Sequence, residues 1–184
     1  MNNTLDLVIT FVFQALAFFC IARFLLQACR VDFYNPISQG VVKVTDLFLK
    51  PLRMLLPGWG NLDFASFLAA WLAVVAQLYL QSVVAGGLFG SAFNMIAVAL
   101  LNVLMLVLSV FKWSIIIMIV ASWIAPSSYH PALALIQQIV EPVMAPARKL
   151  IPPLGGLDLS PMLVILLLLI IESALPQLFM SLLV

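Results

Sequence analysis

Apolar positions fall along this chain in two rhythms. In four stretches, roughly 5–29, 64–85, 94–125 and 160–183, they run almost without interruption. Each can carry about 20 apolar residues across the hydrocarbon core of a bilayer. The third is long enough to tilt or to project into the interface. In two other stretches apolar residues recur once per helical turn. Ile37, Val41, Val44 and Phe48 are interleaved with Gln39, Lys43 and Asp46, and Leu135, Ile139 and Val143 with Gln137, Gln138 and Glu141. This spacing predicts a short amphipathic helix in each long connection. Such a helix either lies in the headgroup layer or packs on the end of the bundle, and periodicity serves both readings equally. Pro51 and Pro146 are expected to break these helices, Pro142 suits a first turn, and Ser38 and Thr45 are candidate caps. Asp63 and Asp158 stand directly before apolar spans, where a carboxylate accepts from orphan helix N–H groups and favours the positive end of the dipole. Ser160-Pro161 offers an alternative start within a turn of Asp158.

Composition agrees with spans rather than a soluble core. Of 184 residues, 65% are hydrophobic and 8% charged, against about 45–50% and about 25% in soluble domains. The fold class expected is therefore an all-α membrane protein with four transmembrane helices. A net charge of +1 gives no reason to expect a nucleic-acid partner. Cys20 and Cys29 share one predicted helix, about 13 Å apart, which is too far for a disulfide. The first residues, MNNTLDLVITFVF, lack the basic start and small-residue cleavage site of a signal peptide. They are expected to form the first span.

Basic residues set an orientation. Arg30, Lys43, Lys50 and Arg53 lie in the first long connection, and Arg148 and Lys149 in the second. The N-terminal tail, the 86–93 turn and the C-terminal tail carry none. Cytoplasmic loops are enriched in Lys and Arg, so both long loops are expected in the cytoplasm and both termini outside it.

The two long connections are also copies of each other. A shift of 95 residues, from Tyr34 to Tyr129, superposes Pro36 on Pro131, Pro51 on Pro146, Arg53 on Arg148 and Pro57 on Pro152. It also superposes Gly60 on Gly155, Asp63 on Asp158, and acidic Asp46 on acidic Glu141. The repeating unit is span, interfacial loop, span: residues 1–85, then a short turn at 86–93, then 94–184. A two-span unit returns to its starting side, so the copies run parallel, related by a pseudo-two-fold axis along the membrane normal.

These residues carry a resemblance. Arg23-x-x-x-Gln27, Asn35-Pro36, Thr45-Asp46, Pro51-x-Arg53, Pro57 and Gly60-x-x-Asp63 resemble the YggT (YlmG-like) family. The second copy repeats the pattern as Tyr129-His130-Pro131, Glu141-Pro142, Pro146-Ala147-Arg148, Pro152, Gly155, Asp158 and Ser160-Pro161. It departs at His130, where the family has Asn, and at Met118, opposite Arg23. The first copy has Ala65-Ser66 where the second has Ser-Pro. The resemblance implies a small bacterial inner-membrane protein with chloroplast relatives. It also implies links to osmotic tolerance, potassium uptake, cell division and envelope organisation, and in plastids to cofactor assembly on a membrane cytochrome.

Two charges fall inside predicted spans. Lys112 and Glu172 lie at depths of about 20 and about 18 Å from the cytoplasmic end, on neighbouring antiparallel helices, so an ion pair between them is expected. Each costs roughly 2.5–3.5 kcal/mol unpaired at mid-membrane. The pair reads either as an ion or proton path or as a buried structural contact. Their repeat partners are Ala17 and Gln77. Arg23 is expected to snorkel to the headgroups, and Gln14, Gln77 and Gln81 to bond between helices. Ala65, Ala69 and Ala73 form a small-residue stripe suited to close helix approach. Arg53 and Arg148, with Lys50 and Lys149 beside them, are candidates for binding phospholipid phosphate or a protein partner. Alternatively, the arginines pair with Asp46, Asp63, Glu141 or Asp158.

No HExxH, CxxC, P-loop or Gly-x-Ser-x-Gly pattern occurs, and His130 is the sole histidine. No enzyme activity, metal or cofactor is expected. Two function classes remain: a membrane scaffold that engages phospholipids and envelope or division proteins, and a small channel or transporter assembled from several copies.

Overall fold

The computed structural model describes residues 2–56, 60–87, 91–124, 130–151 and 158–183. Pro57, Pro152, Gly155 and Tyr129 of the repeat motif, and residues 88–90 of the short turn, lie outside the described residues. Six helices follow in chain order: α1 (Asn2–Ala28), α2 (Pro36–Leu55), α3 (Phe64–Val84), α4 (Ala92–Ile124), α5 (Pro131–Leu150) and α6 (Ser160–Leu183). α1, α3, α4 and α6 are long and apolar enough to cross a membrane. Their outward surfaces carry Phe11, Leu72, Trp113, Leu166 and Ile170, which a bilayer would cover. Among the described residues none forms a strand. The molecule is an all-α, four-span membrane protein built from two parallel repeats, α1–α2–α3 and α4–α5–α6.

Within the first repeat, α1 packs most closely on α3. Ala17, Cys20, Ile21 and Leu25 of α1 meet Ala70, Ala73 and Val74 of α3, joined by Ala99 and Val103 of α4. The alanines let the two backbones approach. Without a hydrophobic driving force between helices in lipid, such close packing is what holds spans together. Gln81 adds a polar tie, its Nε2 donating to Asp6 Oδ1 at 2.9 Å and to Thr10 Oγ1 at 3.0 Å. A second core joins Ile115 of α4, Val140, Met144 and Ala147 of α5, and Val164 and Leu168 of α6. Cys20 and Cys29 are both free.

The helix ends follow local chemistry. α2 and α5 begin alike, with proline at the first helical position behind a side-chain cap. Asn35 Oδ1 accepts from Ile37 N at 2.9 Å, and His130 Nδ1 accepts from Ala132 N at 3.2 Å. His130 thus does the capping work of the asparagine it replaces. Asp63 caps α3 through Ser66. Asp158 accepts from Ser160 N at 2.9 Å at the start of α6.

α1 and α3 end in the same motif. Val31 N bonds Leu26 O and Arg30 N bonds Gln27 O, and likewise Gly87 N bonds Ser82 O and Gly86 N bonds Val83 O. These are Schellman closures, whose pivot residue takes a left-handed conformation. Gly86 supplies it in α3 (φ 72°) and Arg30 in α1 (φ 53°).

Two expectations are corrected here. Pro51 and Pro146 do not break the loop helices, and Pro142 is not in a first turn: all three lie inside α2 or α5. Their rings sit on the exposed face, so the carbonyl each frees one turn earlier faces outward, where water or headgroups can satisfy it. Ser38 and Thr45 are not caps. Asn35 fills that role, Ser38 is buried in the first turn, and Thr45 Oγ1 donates back to Val41 O at 2.7 Å in mid-helix. The faces of the two loop helices divide between the two readings of their periodicity. α5 turns Leu135 and Ile139 inward as the periodicity suggests. α2 instead buries Ser38, Thr45 and Leu49 and leaves Ile37, Val44, Leu47 and Phe48 exposed. Its inward face is the one that reaches the polar groups of α1, described below.

Because Ala70 is fully buried where α1 and α3 meet, Ala70→Leu should force the pair apart. A loss of about 1–3 kcal/mol, typical of overpacking, is expected in thermal unfolding of detergent-extracted protein. The reverse change at exposed Leu72, Leu72→Ala, should cost far less.

Candidate functional site

Polar chemistry gathers at two levels, one at the end bearing α2 and α5 and one at mid-membrane. At the first level each repeat ties its loop helix to its next span through one arginine. Arg148 Nη1 lies 2.9 Å from Glu141 Oε1, and its Nε 3.5 Å from Asp158 Oδ2. In the first repeat Arg53 Nη1 lies 3.7 Å from Asp46 Oδ1, and its Nη2 pairs with Asp63 Oδ2. These are the same three positions in both copies: an acid on the loop helix, an arginine two turns later, and the acid that starts the next span. The candidate lipid-binding arginines are therefore engaged with carboxylates, though each keeps about a third of its side-chain surface exposed (31% and 35%). Lys50 and Lys149 are exposed.

The first copy adds a second arginine. Arg23 reaches from α1 into α2, its Nη1 3.2 Å from Asp46 Oδ1 and donating to Thr45 Oγ1 at 3.3 Å. It is buried, so it does not snorkel. A guanidinium inside a span is stabilised by a carboxylate in reach, and Asp46 is nearer than bulk water. In the second copy Met118 and Val140 stand at the positions of Arg23 and Thr45. The first cluster thus holds two cations and two anions, whereas the second holds one cation and two anions. The joint loss of Arg23 and Thr45 in copy two was a signal in the sequence that the two side chains meet. Within the bare pattern Arg-x-x-x-Gln it went unread.

Both span-starting acids are held ionised. Burial pushes Asp63 up, but hydrogen bonds from Arg53 and Ser66 outweigh it and its carboxyl lies below the usual range. Asp158 is lowered first by its hydrogen bond from Ser160, then against a small opposing effect of burial by Arg148. A carboxyl lowered by folding contributes stability that is complete above its unfolded value of about 3.9. That stability drains away as pH falls through the folded value. Detergent-extracted protein should therefore lose thermal stability on acidification below about pH 4. Asp63→Asn or Asp158→Asn should flatten this acid limb, since each removes a carboxyl that folding holds below its ordinary value.

At mid-membrane a cavity of about 510 Å³ opens between all four spans. Gln14, Ala17, Gln77, Ser109, Lys112 and Glu172 line it. Each of these residues has its repeat mate among the others: Gln14 with Ser109, Ala17 with Lys112, and Gln77 with Glu172. Equivalent positions of the two repeats therefore face one space, which places the pseudo-two-fold axis in the cavity. Lys112 Nζ donates to Glu172 Oε1 at 2.7 Å and to Oε2 at 2.5 Å. The polar groups of copy one, Gln14 and Gln77, are neutral, whereas copy two adds the charged Lys112 and Glu172 to neutral Ser109 and Asn102, so both charges come from one repeat. Among the described residues no group of His, Cys, Asp and Glu could hold a metal ion.

Lys112→Leu or Glu172→Leu alone strands one charge in the membrane and is expected to cost about 3 kcal/mol, the lower range for a broken buried pair. The double substitution should cost less than either. Additive losses in a double-mutant cycle would show that the two side chains are not coupled.

Comparison with known proteins matches this two-copy architecture. The CCB3/YggT family model matches the chain twice, at residues 2–84 and 97–179. An uncharacterized protein of Pseudomonas aeruginosa, PA0392, is 42% identical over 151 residues, covering 82% of this chain and 77% of the relative. The uncharacterized protein YggT of Escherichia coli K12 is 32% identical over 177 residues, covering 95% and 90%. A protein of Vibrio alginolyticus, encoded in the proC 3' region and likewise uncharacterized, is 34% identical over 159 residues, covering 86% and 85%. No solved structure matches the chain. With both repeats matched and relatives aligned along most of its length, the chain belongs to the CCB3/YggT family.

Proposed function

We propose that the chain is a non-enzymatic scaffold of the bacterial inner membrane. In this reading the α2–α5 end lies in the cytoplasmic headgroup layer, both termini face away from the cytoplasm, and the molecule organises envelope or division proteins and supports osmotic tolerance. The observation that carries it is the outward face of α2. Val44, Leu47, Phe48 and Met54 are exposed there beside Lys43 and Lys50. An apolar strip flanked by lysines, on a helix already fastened to the bundle by its other face, suits the boundary between acyl chains and headgroups. Lysine stems lie along the apolar layer while their ammonium groups reach phosphate. Lys149, with the N–H donors that Arg53 and Arg148 do not spend on carboxylates, extends the same basic rim. Phospholipid is the first partner, and membrane proteins meeting α2 from the side are the second.

A second reading, ion or solute transport by assembled copies, draws on the polar cavity at the repeat axis, since transporter sites often lie at mid-membrane between repeats. Proteoliposome flux separates the two. Potassium and proton flux no greater than in protein-free vesicles is expected, together with photocrosslinks from Leu47 or Met54 to lipid and envelope proteins. Flux well above background that Lys112→Leu or Glu172→Leu abolishes would replace the scaffold with a transporter.

A further inference from the structure

The end of α1 and the first turn of α2 enclose a small cavity of about 280 Å³, lined by Arg23, Gln27, Arg30 and Ser38 with Leu26 and Phe33 among its apolar walls. Three observations there are independent of one another. Ser38 is 2% exposed, and its Oγ has no hydrogen-bond partner. A buried hydroxyl left unpartnered is costly and rare in native proteins. Second, Arg30 sits at the left-handed pivot of the α1 closure, where glycine is strongly preferred and where Gly86 serves in the matching closure of α3. A strained non-glycine residue is commonly kept for what its side chain does. Third, Arg30 meets no carboxylate among the described residues. With the Asn61 amide oxygen turned toward it, the guanidinium donates from Nε and Nη2 at 2.5 and 2.6 Å, which leaves its charge uncompensated.

We propose that this cavity binds a phosphate ester, the head group of an anionic phospholipid. Arg30 supplies positive charge and the N–H donors that Asn61 does not engage, and Ser38 and Gln27 supply neutral donors. Arg23 contributes less, because Asp46 already pairs with it. The mixture of cations and apolar walls suits the junction of phosphate and glycerol better than a free ion. At about 280 Å³ the space falls below the roughly 300–1,000 Å³ of whole-ligand pockets, so it fits a head group whose acyl chains remain in the bilayer. Copy two has Met118, Ser122 and Leu133 at the positions of Arg23, Gln27 and Ser38, so the site belongs to the first repeat alone. It is distinct from the basic rim of Lys43, Lys50 and Lys149, and one site can fail without the other.

The test is native mass spectrometry of the delipidated full chain, titrated with phosphatidylglycerol, with phosphatidylcholine and with inorganic phosphate. Phosphatidylglycerol should bind best and inorganic phosphate should not displace it. Arg30→Gly relieves the left-handed strain, so it should fold at least as stably as the parent while losing roughly tenfold in affinity, the size of one charge-assisted hydrogen bond. Ser38→Ala should lose several-fold, and Lys149→Gln should bind like the parent. Unchanged binding by both Arg30→Gly and Ser38→Ala would overturn the site. So would a loss in Lys149→Gln equal to that in Arg30→Gly, which would assign retention to general surface charge. Displacement by equimolar inorganic phosphate would overturn the lipid as its occupant.

Discussion

An arginine shared between two carboxylates holds each half of this molecule in shape. One carboxylate lies on the loop helix, Asp46 or Glu141, and the other starts the next span, Asp63 or Asp158. The loop helix must leave one span, run along the membrane end and deliver the chain to the next span within a dozen residues of its close. Apolar packing cannot hold such a segment alone, because lipid competes for every apolar contact. A bidentate cation between fixed anions does not face that competition, and it works at the level where α2 and α5 end and α3 and α6 begin. The remaining features are arranged around it. Proline rings point away from it, and the span-starting acids serve as caps and counter-ions together. In copy one, Arg23 locks the incoming span to the same cluster.

The two copies share this frame and differ in what they add. Copy one is packed tightly through α1 and α3 and turns an apolar strip of α2 outward. Copy two buries Val140, Met144 and Ala147 of α5 in its own core, and packs Leu135 and Ile139 against Leu26 of α1. Both loop helices turn the same positions inward, Thr45 and Leu49 in α2 and the equivalent Val140 and Met144 in α5. In copy one that face meets the buried Arg23 guanidinium through Thr45 and Asp46, and Val44 and Phe48 lie outside. In copy two Met118 replaces Arg23 and Val140 replaces Thr45, so the corresponding contact is apolar, and Ile139, equivalent to Val44, is covered by Leu26 of α1.

Much of this was legible in the sequence. The four spans, the repeat register, Asp63 as a cap and the contact between Lys112 and Glu172 follow from run length, spacing and helical rise. What escaped was set by contacts distant in sequence. Periodicity left open whether Val44 and Phe48 meet the headgroup layer or the bundle, and the contact of Arg23 with Asp46 lies outside any local pattern. Proline was expected to stop a helix because its local rule assumes a buried carbonyl, and Pro51, Pro142 and Pro146 all stand on the outer face. The cavity beside Arg30 depends on a helix closure and a buried Ser38 that no local pattern announces.

The cavity on the repeat axis has a consequence for the chain as a fusion. Two identical repeats assembled about such an axis would bring either two lysines and two glutamates into the space, or none. Joined in one polypeptide, the halves are free to diverge. A single Lys112–Glu172 pair then faces Ala17 and Gln77, an arrangement that a symmetric dimer of either half cannot reach. Covalent linkage therefore does more than keep the halves together: it lets the molecule carry one polarised centre where symmetry would impose two.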